Sequence, residues 1–116
     1  MKMFINPKQI YLHRNPVDFR KSRNGLSAIV EHEMQQPFSN GTLFVFCNNA
    51  KDRLKILYWD STGFALWLKR LEKDKFKWPS KVQKTQLSLS STQLQYLLQG
   101  YGVIGHKPLS YAFSSL

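Results

Sequence analysis

The chain has 116 residues, with 17 lysines and arginines against 7 aspartates and glutamates, which gives a formal charge of +10 and an isoelectric point near 10.0. This length suits one small domain and excludes a large enzyme fold, while a hydrophobic content of 42% excludes global disorder. No apolar run reaches the ~18 residues of a membrane span, and the N-terminus lacks the apolar core of a signal peptide. We therefore expect a soluble, cytoplasmic domain without membrane contact.

The first third of the sequence predicts a strand followed by a helix. Residues 9–13 are β-prone and end before Asn15-Pro16, a turn signal. Between residues 21 and 35 apolar side chains recur at helical spacing, namely at Leu26, Ile29, Val30 and Met34. Pro37 is expected to stop this helix.

The middle of the chain predicts an antiparallel meander. Residues 42–47 and 53–59 are rich in β-branched and aromatic side chains, and a polar turn separates them. Residues 64–71 are also compatible with a helix by composition, but their alternation favours a third strand. Three strands with short connections predict hairpin pairing between neighbours.

Pairing Tyr58 with Phe64 would make one face of the second hairpin wholly apolar, because Leu54 and Ile56 would then face leucines. This register needs an odd loop with a bulge at Gly63. The other face would be basic with one interleaved aromatic. Its members would be Arg53, Lys55, Leu57, Trp67 and Lys69.

Beyond the meander, residues 76–79 suggest a short edge strand and residues 80–86 a polar linker. Ser90 and Gln93 match a capping box that opens a second helix, and Gly100 suits the position just past its end. The predicted class is α+β, with an antiparallel three- to five-stranded sheet and two helices packed on one face. Residues 1–100 are expected to form the domain and residues 101–116 a C-terminal tail.

Positive charge is concentrated in the meander. Residues 51–84 hold ten bases and four acids, so 10 − 4 gives +6 for this segment, and a second basic cluster includes Arg20 and Lys21. A field of one sign attracts polyanions, of which nucleic acid is the commonest in a cell. The alternative interpretation is a solubilising surface.

Catalytic chemistry has no predicted location. The acids lie beside bases or in turns, which does not suit a two-cation site, and the three histidines are isolated in sequence. The one cysteine, Cys47, excludes an internal disulfide and lies in an apolar strand, where a buried inert thiol is the usual outcome. No glycine-rich phosphate loop or nucleophile elbow occurs. We predict neither enzymatic activity nor a metal or cofactor.

All three tryptophans fall in the basic segment. An indole beside a cation can stack on a base while the cation neutralises a phosphate, and this interpretation suits Trp67 on its predicted charged face. Trp59 and Trp78 are interpreted as core residues or as anchors for a protein partner.

Several unusual strings resemble one protein family. They are DRLKILYWD (52–60), GF (63–64), LW (66–67), KRLE (69–72) and FKWP (76–79), with IYL (10–12), PVD (16–18), RK (20–21), GL (25–26) and LFVF (43–46) before them and LS (87–88) after them. Together they are similar to the second-open-reading-frame protein, TnpB type, of insertion-sequence-sixty-six elements.

The resemblance implies an accessory factor of transposition, encoded beside a larger protein that carries the acidic catalytic triad. The charge then suggests the ligand, which is DNA at element ends or without sequence preference. The expected DNA-binding residues are Arg20, Lys21, Arg53, Lys55, Trp67, Lys69 and Arg70. The alternative is a protein-interaction module that docks onto the catalytic transposase or self-associates as a homo-oligomer, with Trp59, Trp67 and Trp78 as anchors.

Overall fold

The computed structural model describes residues 7–20 and 23–103. In chain order the elements are strand β1 (Gln9–His13), helix α1 (Arg23–Ile29) with a π-helical continuation (Val30–Met34), strands β2 (Thr42–Cys47), β3 (Arg53–Asp60), β4 (Gly63–Arg70) and β5 (Gln86–Leu89), and helix α2 (Ser91–Leu98). The α+β class is confirmed, and the segment after residue 63 is a strand rather than a helix.

The first helix buries the predicted stripe. Leu26, Ile29, Val30 and Met34 are all less than a tenth exposed, because their spacing places them on one side of the helix. The last turn widens into π-helix, and it ends at Gln35, whose φ of 54° is left-handed and whose N–H donates to the Val30 carbonyl. The helix therefore ends two residues before Pro37, which agrees with the prediction, because a proline disfavours helical backbone in the residue that precedes it.

The sheet has five strands in the order β4-β3-β2-β1-β5. β1 runs parallel to β2, whereas the other pairs are antiparallel. The predicted purely antiparallel sheet is thus wrong, since α1 carries the chain from β1 back to the start of β2, and a helical crossover of this kind makes its strands parallel.

The segment before α2 also differs from the prediction. Residues 76–79 are not a strand; Phe76, Trp78 and Pro79 are buried within an irregular loop. The last strand, β5, forms instead where the predicted linker ends, and it pairs with β1 through Ile10 opposite Leu89. Local composition did not indicate β5, because its partner lies about 75 residues earlier in the chain.

Apolar clusters cover both faces of the sheet. Along β2, Leu43 and Val45 belong to a cluster with residues of α2, whereas Phe44 and Phe46 belong to a cluster with residues of α1. Successive residues of a strand point to opposite faces. The two helices therefore lie on opposite faces of the sheet, and the prediction that both pack on one face is wrong.

The second helix begins and ends as predicted. The Ser90 side chain accepts from the Gln93 N–H, and the Gln93 side chain accepts from the Ser90 N–H, which completes the capping box. Gly100 follows the helix with a φ of +91°, a conformation that suits glycine. Val103 is buried in the same cluster as α2, so the core extends past the predicted boundary at residue 100. The rest of the predicted tail lies outside the described residues.

The hairpin of β3 and β4 has a tight connection without a bulge. Asp60 is opposite Gly63, so only Ser61 and Thr62 form the loop, with Ser61 at a φ of 53°. The Ser61 N–H donates to the Asn40 side-chain oxygen at 3.0 Å. The resulting register places Tyr58 opposite Ala65, one residue away from the predicted pairing, which is therefore wrong.

Candidate nucleic-acid interface

The one-residue difference in register separates the predicted site residues into two groups. Arg53 is directly opposite Arg70, and Lys55 follows Arg53 by two residues in β3. Arg53, Lys55 and Arg70 therefore share one face of the hairpin. Trp67 and Lys69 are opposite Ile56 and Leu54 on the other face. The prediction that Trp67 and Lys69 share a face with Arg53 and Lys55 is wrong.

Trp67 and Lys69 both make contacts with other parts of the fold. Trp67 is half-buried and packs against the cluster that contains α2. The Lys69 Nζ donates to the carbonyl of Leu98 at 2.8 Å, and Leu98 is the last residue of α2. Because the final carbonyls of a helix lack partners within it, Lys69 stabilises the end of α2.

Arg53 and Arg70 are directly opposite each other at the open end of the hairpin, and both are exposed. The Leu71 N–H donates to the Asp52 carbonyl, so by the alternation of an antiparallel ladder the next pair, Arg53 and Arg70, is a non-hydrogen-bonded one. Side chains in such pairs come closest, with Cα atoms about 4.5 Å apart. Like charges in this position destabilise a sheet.

Neither guanidinium group has an ion pair or a side-chain hydrogen bond within residues 7–20 and 23–103. The nearby Asp52 carboxylate accepts from the Asn48 amide at 2.7 Å. That hydrogen bond and, to a lesser extent, the charges of Arg53 and Arg70 lower the pKa of Asp52. Neither arginine is therefore neutralised by a direct ion pair with a described carboxylate.

A cleft of about 340 Å³ lies beside Arg53. It is lined by Val17, Asp18, Phe19, Arg20, Asn48, Asn49, Ala50 and Arg53. The Lys55 Nζ donates to the Phe19 carbonyl at 3.3 Å and lies 4.7 Å from the centre of the Phe19 ring, so Lys55 braces one wall of the cleft.

Arg20 lies on the rim of this cleft but is partly neutralised. Its guanidinium group donates to both oxygens of Asp18, at 2.6 Å for the shortest bond, and this pairing raises the pKa of Arg20. The pair is exposed, so water screens it strongly. The other residue predicted in this basic cluster, Lys21, lies outside the described residues.

A lysine-rich loop runs alongside the same end of the sheet. The Phe76 N–H donates to the Lys51 carbonyl at 2.7 Å, and the Lys75 Nζ donates to the Ala50 carbonyl at 2.8 Å. These bonds hold the loop against the turn between β2 and β3. We call this surface the basic end, and define it as Arg20, Lys51, Arg53, Arg70, Lys73 and Lys75. The charge of this loop is evident from the sequence, whereas its contact with the turn is not.

The remaining two tryptophans differ in accessibility. Trp78 is 8% exposed, and its indole N–H donates to the carbonyls of His13 at 3.1 Å and Arg14 at 3.0 Å. It therefore offers almost no surface to a partner, in agreement with its interpretation as a core residue. Trp59 is half-buried and makes an edge contact with Phe64, with ring centres 5.2 Å apart.

Two kinds of reactive site, a cysteine nucleophile and a metal-ligand cluster, can be checked in the described part of the chain. Burial raises the pKa of the Cys47 thiol to about 12, which removes the thiolate that a nucleophile needs. No group of three or more histidine, cysteine, aspartate or glutamate side chains within the described ranges is placed to hold a metal ion. None of the described helices has both the length and the apolarity to span a bilayer.

Comparisons with known proteins identify relatives over most of the chain. The family described as "IS66 Orf2 like protein" matches residues 8–107. Two curated proteins of Sinorhizobium fredii (strain NBRC 101917 / NGR234) are similar: "Uncharacterized protein y4jC" is 37% identical over 79% of this chain and 78% of its own. "Uncharacterized protein y4hO" is 30% identical over 79% of each. No solved structure gives a significant match.

Proposed function

The chain belongs to the family of IS66 Orf2-like proteins, accessory proteins associated with transposition rather than a known class of enzyme, and we propose that it binds DNA through the basic end. The supporting observation is the opposed, unpaired couple of Arg53 and Arg70. Their mutual repulsion falls when a phosphate lies between them, because its negative charge attracts both guanidinium groups.

The surroundings of the couple favour phosphate over base recognition. Its face of the hairpin carries leucines beside the arginines, with Leu66 41% and Leu68 55% exposed. Trp67, the aromatic residue expected to stack on a base, lies on the opposite face. Phosphate contacts fix the position of a protein on DNA but carry no sequence information directly. We therefore expect the chain to bind element ends and unrelated duplexes with similar affinity.

The test is a salt titration of DNA binding with the double variant Arg53→Gln/Arg70→Gln. Each phosphate contact contributes about 0.9 to the slope of log affinity against log salt, so loss of two contacts should flatten the slope by about 1.8. Fluorescence anisotropy with a labelled duplex measures it. The matched control is Lys8→Gln/Lys84→Gln, which removes the same charge from exposed positions outside the basic end.

Equal slopes for the two double variants would contradict the proposed site, since the effect would then depend on total charge alone. Absence of binding by the unmodified chain at low salt, to element-end and random duplexes alike, would contradict DNA binding altogether. Circular dichroism of each variant shows whether it remains folded.

A second candidate function is a protein-interaction module that docks onto the catalytic transposase of the same element or self-associates, without direct DNA contact. The exposed Leu66 and Leu68 favour it, because apolar side chains anchor protein interfaces. Co-purification with the transposase that persists at high salt, and that Leu68→Lys abolishes, would support docking onto it.

A further inference from the structure

We propose that β4 is a self-association edge, which pairs antiparallel with β4 of a second copy to form a continuous ten-stranded sheet. This inference does not depend on DNA binding. β4 ends the sheet, and within the described residues only β3 pairs with it. The opposite edge, β5, has 4 residues, whereas β4 has 8.

The middle of β4 lacks the features that usually protect an exposed edge. In natural proteins, edge strands are kept from pairing with another chain by their shortness or by proline, bulges or central charges. Residues 64–68 contain no proline or charge, the pairing with β3 is continuous from Gly63 to Arg70, and Leu66 and Leu68 are exposed. Such an edge is a template for another strand.

The backbone groups that would form the new ladder can be assigned. The Leu71 N–H donates to the Asp52 carbonyl, so odd-numbered residues of β4 bond to β3, and even-numbered ones direct their N–H and C=O groups outward. A two-fold axis perpendicular to the sheet, at Leu66, lets these outward groups of two copies bond to each other.

The same axis brings apolar side chains together. Leu66 faces Leu66 of the other copy, and Leu68 faces Phe64 of the other copy, all on one face of the joint sheet. Cross-strand apolar pairs of this kind stabilise a sheet by about 0.2–1 kcal/mol each. Shifting the axis to Trp67 would place Arg70 opposite Phe64, so the apolar pairing favours Leu66.

Charge along the hairpin also fits a second copy. The turn end carries Asp60, and the open end carries Arg53 and Arg70. Antiparallel pairing places Arg70 of one copy beside the Ser61–Thr62 turn of the other, so the arginines of the two copies lie at opposite ends of the new interface and stay apart. If the proposed DNA function holds, both basic ends face the same side of the dimer, because this axis preserves the faces of the sheet.

Salt distinguishes this association from DNA binding. Each copy carries a formal charge of +10, and screening reduces the repulsion between copies. The dimer should therefore strengthen as salt rises, whereas DNA binding should weaken. Failure of one proposal leaves the other measurable, because the association is studied without DNA.

The experiment is sedimentation equilibrium of the full chain across the micromolar range, at low and high salt. We expect a concentration-dependent dimer, and a decrease in its association constant of about tenfold or more for Leu68→Lys, since a central charge blunts an edge. Ala28→Lys adds the same charge at an exposed position of α1 and should leave association unchanged.

Leu66→Pro provides a second variant that tests the backbone pairing. Its N–H points away from β3, so the substitution spares the internal ladder while removing a bond to the second copy. Loss of the dimer in both variants, with the fold retained by circular dichroism, supports the proposal. A monomer at every concentration and salt, or a dimer insensitive to both substitutions, overturns it.

Discussion

Replacing Trp78 by phenylalanine should lower the free energy of unfolding by about 2 kcal/mol, because two backbone carbonyls lose their hydrogen-bond donor and a small cavity forms. The indole N–H donates to two carbonyls, those of His13 and Arg14, and the ring is 8% exposed. These bonds tie the loop before β5 to the end of β1. Phenylalanine keeps the aromatic packing but cannot donate.

The assay is urea unfolding followed by far-UV circular dichroism, with thermal melting as a second measurement. Each kcal/mol corresponds to about 4–8 °C in melting temperature for a domain near this size, so we expect a decrease of roughly 10 °C. The matched control is Trp59→Phe, which removes the same atoms from a half-buried ring at the hairpin and should cost less than about 1 kcal/mol.

Equal costs for the two variants would refute the assignment of Trp78 to the core. Unchanged stability of Trp78→Phe together with loss of transposase binding would restore the role as a partner anchor that the sequence suggested.

Three further variants or reagents test individual contacts. Because burial raises the pKa of Cys47 to about 12, iodoacetamide at about pH 8 should modify the native chain far more slowly than the urea-unfolded chain; equal rates would contradict burial. Lys69→Met keeps the apolar stem but loses the bond to the Leu98 carbonyl, which should cost about 1 kcal/mol, whereas Lys84→Met should not. The Asn48 hydrogen bond and the adjacent arginines lower the pKa of Asp52, so its contribution to stability is present above its ordinary pKa of 3.8 and lost as pH falls below it. Asp52→Asn should therefore show a shallower loss of stability in acid than the unmodified chain.

Local signals in the sequence predicted the elements whose cause is local. The Ser90 and Gln93 capping box depends on residues three apart, and the stripe from Leu26 to Met34 depends on the helical period. Both were confirmed for this reason. The two hairpin-forming strands were located equally well, since alternation and turn residues act over a few positions.

Features that depend on distant partners were not predicted. The parallel pairing of β1 with β2 and the existence of β5 depend on contacts across the sheet. One available signal was the run Thr42–Cys47, which is buried at every position and shows no alternation in the sequence. A continuous apolar strand is typical of a sheet covered on both faces, and this would have placed the helices on opposite sides.

The candidate site could be located by charge but not oriented. Composition assigned the bases to residues 51–84, whereas the face of each side chain depended on the register of β3 and β4. A two-residue turn gives a register that puts Arg53 opposite Arg70 and leaves Leu66 exposed. The predicted register would have buried the leucines and gathered Trp67 and Lys69 with the cations. Both proposals thus follow from the same turn.

That turn can be tested by a disulfide. In a Cys47→Ala background, Lys55→Cys with Leu68→Cys should oxidise readily, because these residues are directly opposite, and non-hydrogen-bonded pairs lie within the Cα separation of about 4.4–6.8 Å that a disulfide requires. Lys55→Cys with Trp67→Cys should not oxidise within one molecule, since the two side chains point to opposite faces. Mass spectrometry after mild oxidation at low protein concentration distinguishes them. A bridge in the second variant and none in the first would establish the register that pairs Tyr58 with Phe64. In that register the exposed leucines would be buried, and the basis for both the arginine couple and the self-association edge would be lost.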